Sequence, residues 1–261
     1  MTGLICPVCK KKGLETPLER ENNSLFCASR HCFDIAKSGA VSFTQPSGDD
    51  KDMVAARTAF LESGAYEKFA KAIASHLSGA KTIVDAGCGE GYYSNLFASE
   101  TGAAVYGFDL SKAAIEHAAK SAKRLGTNAF FAVDGIFDLP IASESVDAVT
   151  SIFAPVSDEF FRILKPGGLL IIGAAGRHHL YELKAAVYDE VYENEGRRDL
   201  PGGSHTVENL SYKFTCEGEN IRRLFSMTPY CYKTSKQDRA KLDSLERLDI
   251  TADFDIFIYR K

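Results

Sequence analysis

Apolar residues recur along this chain in two rhythms. Short, nearly unbroken apolar runs at 83–84, 105–108, 129–133, 146–153 and 169–173 alternate with stretches of helical spacing, among them 92–97, 112–125 and 157–164. Apolar runs this short read as strands whose two faces are both covered by helices. Repeated strand–helix units with right-handed crossovers predict an α/β fold, a doubly wound Rossmann-like sheet. Ahead of it, 53–77 has the spacing of two helices parted by Gly64, with Phe60, Tyr66, Phe69 and Ile73 inward. Behind it, 206–214 and 252–260 read as strands, with a helix at 217–225 between them. The polar stretch 46–52 reads as a linker. The charged, glycine-rich stretch 193–204 reads as a mobile loop, whose Arg197 and Arg198 are candidates for phosphate contacts.

The first of those strands leads into T-I-V-D-A-G-C-G-E-G-Y-Y, residues 82–93. It stops at Asp85 and turns through Gly87, Gly89 and Gly91 into a helix, which brings bare backbone and a helix N-terminus close to a ligand. The spacing is G-x-G-x-G, so the dinucleotide fingerprint is not met. About twenty residues on, the second strand ends at Asp109, where a carboxylate accepts both hydroxyls of a ribose. Asp85 and Glu90 suit a cationic ligand, an aminoacyl group with a sulfonium, better than a diphosphate. The third strand ends at Asp134, placed to accept from an adenine amino group, with Gly135 letting the backbone pass close to the ring and Phe108 or Leu110 beside it. The motif resembles the first motif of class I S-adenosylmethionine-dependent methyltransferases. That likeness implies cofactor contacts at Asp85, Gly87, Cys88, Gly89, Glu90, Gly91, Asp109, Leu110, Asp134 and Gly135.

Composition adds a second site. Four of the seven cysteines fall within the first 32 residues, a metal-site pattern rather than a disulfide framework. Cys6-Pro7-Val8-Cys9 is a C-x-x-C knuckle, and Cys27 to Cys32 follows after seventeen intervening residues. Two ligand pairs on a foldable hairpin are what tetrahedral zinc needs, and a segment this small gains folding free energy from the metal. Cys6, Cys9 and Cys27 are three ligands; the fourth is His31 or Cys32. Expected units are a zinc-binding module at 1–45, a linker and helical lead-in at 46–80, and the methyltransferase domain at 81–261. The net charge of −4 announces no nucleic-acid partner in bulk, although Lys10, Lys11, Lys12, Arg20, Arg30 and Lys37 make the module mildly basic. No run of about eighteen apolar residues and no charged-then-apolar leader are present, so neither a membrane span nor a signal peptide is expected and the cytoplasm is the default.

The fourth strand runs into Ala154-Pro155, without the Asn/Asp-Pro-Pro-aromatic pattern of exocyclic-amine methylation. Past the fifth strand, His179 and Glu182 are the candidate catalytic residues, a base or anion-stabilising pair for a ring nitrogen that must lose a proton. Taken together, the following motifs are similar to the bacterial large-subunit rRNA guanine-N1-methyltransferases: C-P-x-C with C-x-x-x-H, then F-D, R-x-A-F-L-x-x-G-x-Y (57–66), G-C-G-E-G-Y-Y, a strand ending in A-P, H-L-x-E-L-K (179–184) and M-T-P (227–229). One branch of that family is associated with macrolide resistance. The resemblance implies methyl transfer from S-adenosylmethionine to guanine N1 in a 23S rRNA hairpin, a zinc ribbon that docks the hairpin with His31 as fourth ligand, and a homodimer. It also makes Tyr230 a candidate stacking surface for the guanine. Without the resemblance, the overall acidity favours a small-molecule methyltransferase whose zinc knuckle is a structural prop.

Overall fold

The computed structural model describes residues 3–261. The N-terminal module consists of Pro7–Lys10 (α1) and a small antiparallel meander, Glu19–Glu21 (β1), Ser24–Phe26 (β2) and Cys32–Asp34 (β3). Val41–Ser42 (β4) then leaves the module. Lys51–Leu61 (α2) and Glu67–His76 (α3) follow; the Asp50 carboxylate caps α2 by accepting from the backbone N–H groups of Asp52 and Met53.

The main body alternates Thr82–Ala86 (β5), Tyr92–Thr101 (α4), Ala104–Asp109 (β6), Lys112–Leu125 (α5), Ala129–Val133 (β7), Val146–Ile152 (β8), Glu159–Ile163 (α6) and Leu164–Ala175 (β9). Tyr181–Val187 (α7), His205–Glu217 (β10), Glu219–Ser226 (α8), Lys236–Ala240 (α9) and Arg247–Arg260 (β11) complete it. Among the described residues these strands form an eight-stranded sheet in the order β10-β11-β9-β8-β5-β6-β7-β4. The run from β9 to β4 is parallel, and the β10–β11 hairpin adds on antiparallel. The order reverses at β5, so ligands belong at the carboxyl ends of β5, β6 and β8.

Helices cover both faces of the sheet. On one face Phe60, Phe69, Phe97, Leu183, Ile221 and Phe254 form a buried core, with the Phe69 and Phe254 rings stacked at 4.0 Å. On the other face Leu4, Leu18 and Leu25 of the N-terminal module share one apolar cluster with Val84, Phe108 and Ile172 of the sheet. The module is therefore not a bead on a linker. The Ile5 N–H donates to the Pro140 carbonyl at 2.8 Å, and the Ala142 N–H to the Gly3 carbonyl at 2.8 Å. Glu15 accepts from the Ser143 N–H and hydroxyl and pairs with Arg162, while Lys10 pairs with Asp138 and Glu159.

Several boundaries differ from those the sequence predicts. β4 lies within the expected zinc module yet closes the edge of the methyltransferase sheet, pairing in parallel with β7; two residues are too short to carry a period. β9 starts at Leu164 rather than 169, and β11 at Arg247 rather than 252, because pairing with a neighbour extends both beyond their apolar cores. β8 ends one residue early, at Ile152, where Phe153 turns to a φ of +55°. Among the described residues, no helix is long and apolar enough to cross a membrane.

Candidate functional site

The loop between β5 and α4 is built by missing side chains. A β-carbon on Gly87 would lie 2.4 Å from that of Ala154, and one on Gly91 would lie 2.6 Å from that of Ala118. Both residues have positive φ, +77° and +80°, so glycine is required twice over. The N–H groups of Gly87 and Cys88 donate to the Phe108 carbonyl, seating the loop on β6. The Cys88 thiol is buried, which raises its pKa well above the ordinary range, so this residue offers the loop backbone only.

Four acids surround this loop. Asp85 is 2 % exposed, its oxygens accepting from the hydroxyls of Ser94 at 2.5 Å and Thr150 at 2.8 Å. Glu90 is buried facing Arg57 at 3.4 Å, and Arg57 also pairs with Asp49. Asp109 accepts from the N–H groups of Gly89 at 3.0 Å and Ser111 at 2.8 Å, one on each oxygen, and keeps lone pairs for a ligand. Asp134 holds the Gly135 N–H at 2.9 Å with one oxygen, while its other oxygen is buried without a partner. Burial pushes Asp85, Glu90 and Asp134 up to about 6 and raises Asp109 as well. Leu110 is exposed and stands beside Gly135, whereas Phe108 is fully buried. The arrangement fits S-adenosylmethionine: an orphaned acceptor for an adenine amino group, a carboxylate for ribose hydroxyls, and a negative hollow for a cation. Ser94 and Thr150, which hold Asp85, went unmarked in the sequence because a buried hydroxyl looks like any other.

Cys6, Cys9, Cys27 and His31 come together in the N-terminal module, their ligand atoms all within 4.8 Å of one another. The His31 Nδ1 lies 3.4, 3.4 and 3.3 Å from the sulfurs of Cys6, Cys9 and Cys27, and the Cys9 and Cys27 sulfurs are 3.8 Å apart. A tetrahedral zinc with ordinary bond lengths needs edges of about 3.6 Å for nitrogen–sulfur and about 3.8 Å for sulfur–sulfur. The four residues fit zinc. Cys32 is exposed, its sulfur 3.9 Å from an Asp34 oxygen, and lies outside the group.

His179 and Glu182 both hydrogen-bond to groups of β11. The His179 Nδ1 accepts from the Asp253 N–H at 3.2 Å, which leaves the proton on Nε2, 3.1 Å from the Tyr66 hydroxyl. Burial lowers its pKa to about 4. Glu182 accepts from the Thr251 N–H at 2.8 Å and hydroxyl at 2.7 Å; burial works to raise its pKa, but these bonds win and hold it below the usual range. Both groups are already committed. Tyr230 is half-buried, its ring edge-on to Phe225 and Tyr188 and its hydroxyl buried. In the 193–204 stretch both arginines have partners within the protein. Arg197 is 11 % exposed and bonds the Ala154 carbonyl at 2.5 Å and Asp199 at 2.7 Å, while Arg198 pairs with Glu195.

One residue the sequence reading passed over is Phe153, read there as the last position of an apolar strand. Its φ of +55° is strained for a bulky side chain, at about 1–3 kcal/mol, and the residue is 47 % exposed.

Comparison with known proteins fits this geometry. The family model described as the RlmA N-terminal zinc ribbon matches residues 4–43, and one described as a methyltransferase domain matches 77–228. A Bacillus subtilis (strain 168) protein named as a candidate 23S rRNA (guanine-N1)-methyltransferase, YxjB, is 31% identical, with 98% of this chain and 96% of that one covered. This chain belongs to the 23S rRNA (guanine-N1)-methyltransferase family. The 23S rRNA (guanine(748)-N1)-methyltransferase of Streptomyces fradiae is 32% identical over 70% of this chain and 67% of its own. A Micromonospora griseorubida protein, named as a candidate of the same activity, is 31% identical over 69% and 68%. This methyltransferase thus depends on S-adenosylmethionine and carries a zinc ribbon.

Two outcomes follow for its ligands. Asp85, Glu90 and Asp134 have folded pKa values raised to about 6, so they are charged at pH 7.5 and largely neutral at pH 5. A cationic cofactor favours the charged forms. Its calorimetric dissociation constant is expected to rise at least about tenfold between pH 7.5 and 5; equal affinity at both values would contradict the electrostatic reading. In the ligand-free protein the sign is opposite, because a raised carboxyl contributes stability below its unfolded pKa and loses it as pH rises through about 6. Stripping zinc with a chelator, or the Cys27→Ser substitution, is expected to remove about 2 kcal/mol or more, a melting drop of roughly 4–8 °C. An unchanged melting curve after confirmed zinc loss would show that the ribbon stands without it.

Proposed function

We propose that this methyltransferase transfers the methyl group of S-adenosylmethionine to N1 of a guanine in a hairpin of 23S rRNA, with the zinc ribbon selecting the RNA. The observation that carries the reading is the whole-chain likeness to a relative of that name, ribbon included. Bound cofactor supplies an electrophilic methyl on a cationic sulfonium. The chain's own part is to hold that cation over the acids at the ends of β5, β6 and β7 and to present the guanine edge at the end of β8. Asp109 would take the ribose hydroxyls and the unpartnered oxygen of Asp134 the adenine amino group. Cys6, Cys9, Cys27 and His31 would hold the zinc.

Guanine N1 must shed its proton before it attacks. His179, with both ring nitrogens bonded and its pKa lowered to about 4 by burial, stays neutral over the working range and acts as a positioning residue. Glu182 has the same standing, fixing the start of α7 against β11 through Thr251. On the ribbon, Lys10 is spent on Asp138 and Glu159, which leaves the exposed Lys11, Lys12, Arg20 and Lys37 to meet phosphates. The family resemblance extends the reading to a homodimer working in the cytoplasm.

Labelled methyl from S-adenosylmethionine is expected on large-subunit rRNA stripped of protein, recovered as 1-methylguanosine after digestion and lost in Asp109→Ala. Label on small molecules alone would move the enzyme to the small-molecule class. His179→Gln is expected to lower kcat without altering the pH profile of kcat/KM; disappearance of an acidic-limb inflection in that variant would restore His179 as the base.

A further inference from the structure

Phe153 combines three features that a purely structural aromatic would not need. The residue is half-exposed, while the three residues whose rings it leans on, Phe69 at 5.8 Å, Phe254 at 6.0 Å and His179 at 6.2 Å, are all buried. Its backbone has the left-handed φ of +55°, where a glycine would make the same turn without strain. Its place in the chain is one residue before Ala154, whose β-carbon blocks any side chain at Gly87 of the cofactor loop.

The backbone around residue 153 is held by its neighbours. The Phe153 N–H donates to the Gly173 carbonyl at 2.9 Å, keeping residue 153 in line with β9. The Ser151 hydroxyl lies 3.1 Å from the carbonyls of Ala154 and Pro155, and Arg197 donates to the Ala154 carbonyl from the far side. Beneath the ring, His179 is fixed by Tyr66 and Asp253. An outlying backbone conformation that its neighbours over-determine is the kind of strain that marks ligand contact.

We infer that Phe153 is the stacking platform for the acceptor guanine, the surface against which the unstacked base lies with its N1 edge towards the cofactor loop. This rests on the rRNA guanine reading given above. A base drawn out of a helix needs a π-face to replace the stacking it has lost, and an aromatic side chain supplies it. A rigid, pre-exposed ring supplies it without reordering at the moment of binding.

The test uses the full-length protein, S-adenosylmethionine and large-subunit rRNA stripped of protein. Phe153→Ala and Phe153→Leu are each expected to lower kcat/KM for the rRNA roughly tenfold to a hundredfold. Phe153→Tyr stays within about threefold of the wild type, being a ring of the same kind. The leucine variant keeps apolar bulk without the π-face, so it separates stacking from packing even if the alanine variant folds poorly. Cofactor affinity, measured by calorimetry, is expected to be unchanged in all three. Wild-type kcat/KM in the leucine variant, or a loss of activity matched by an equal loss of cofactor affinity, overturns the assignment while the function stands. A wild-type protein that leaves rRNA unmethylated overturns the functional reading and this assignment with it.

Discussion

Residue 87 has no room for a β-carbon, and the order of the site follows from that. The glycine loop can sit against the turn after β8 only because 2.4 Å separates the Ala154 methyl from where a side chain would begin. Gly91 makes the same concession to Ala118 on α5. Backbone therefore meets backbone where three parallel strands end, and Asp85, Asp109 and Phe153 are brought around one hollow. Asp85 is the costly member of the group. Its burial is tolerated because two hydroxyls, from α4 and β8, solvate it in place of water.

Most polar groups around this hollow spend their hydrogen bonds inside the protein. Arg57 bridges Asp49 and Glu90, Arg197 reaches a backbone carbonyl, and His179 links Tyr66 to β11. Such satisfied groups set positions rather than carry out chemistry. What remains free stands out against them: one carboxylate oxygen of Asp134, the lone pairs of Asp109, and the face of Phe153. The economy of the site suits an unstacked base and a cation better than a reaction that needs a strong protein base.

The doubly wound sheet was legible because its strands are short apolar runs and its turns carry glycine and aspartate at the strand ends. The acids at the strand ends and the Cys/His cluster were legible as candidates for the same reason, since both are fixed by local spacing; the structure gathers Cys6, Cys9, Cys27 and His31 and leaves Cys32 exposed outside the group. What spacing does not encode is where long-range partners send a side chain. His179 and Glu182 stand in a row of polar residues, and their partners, Thr251 and the Asp253 N–H, come from β11 about seventy residues away. Arg197 looks like a loop cation until Asp199 and the Ala154 carbonyl claim it. Phe153 hid in an apolar strand because nothing in an amino-acid pattern reports the sign of φ.

The N-terminal ribbon shares its apolar cluster with the sheet, is stitched to residues 140–143 by backbone hydrogen bonds, and continues through β4 into the sheet edge. It behaves as a fixed jaw. The position of the zinc site relative to the tip of β8 is consequently set by the packing of the ribbon on the sheet, so on the proposed reading an RNA held by the ribbon would meet the cofactor site at a defined reach. On that reading, target choice would depend on how far the nucleotide stands from the stem as well as on its sequence.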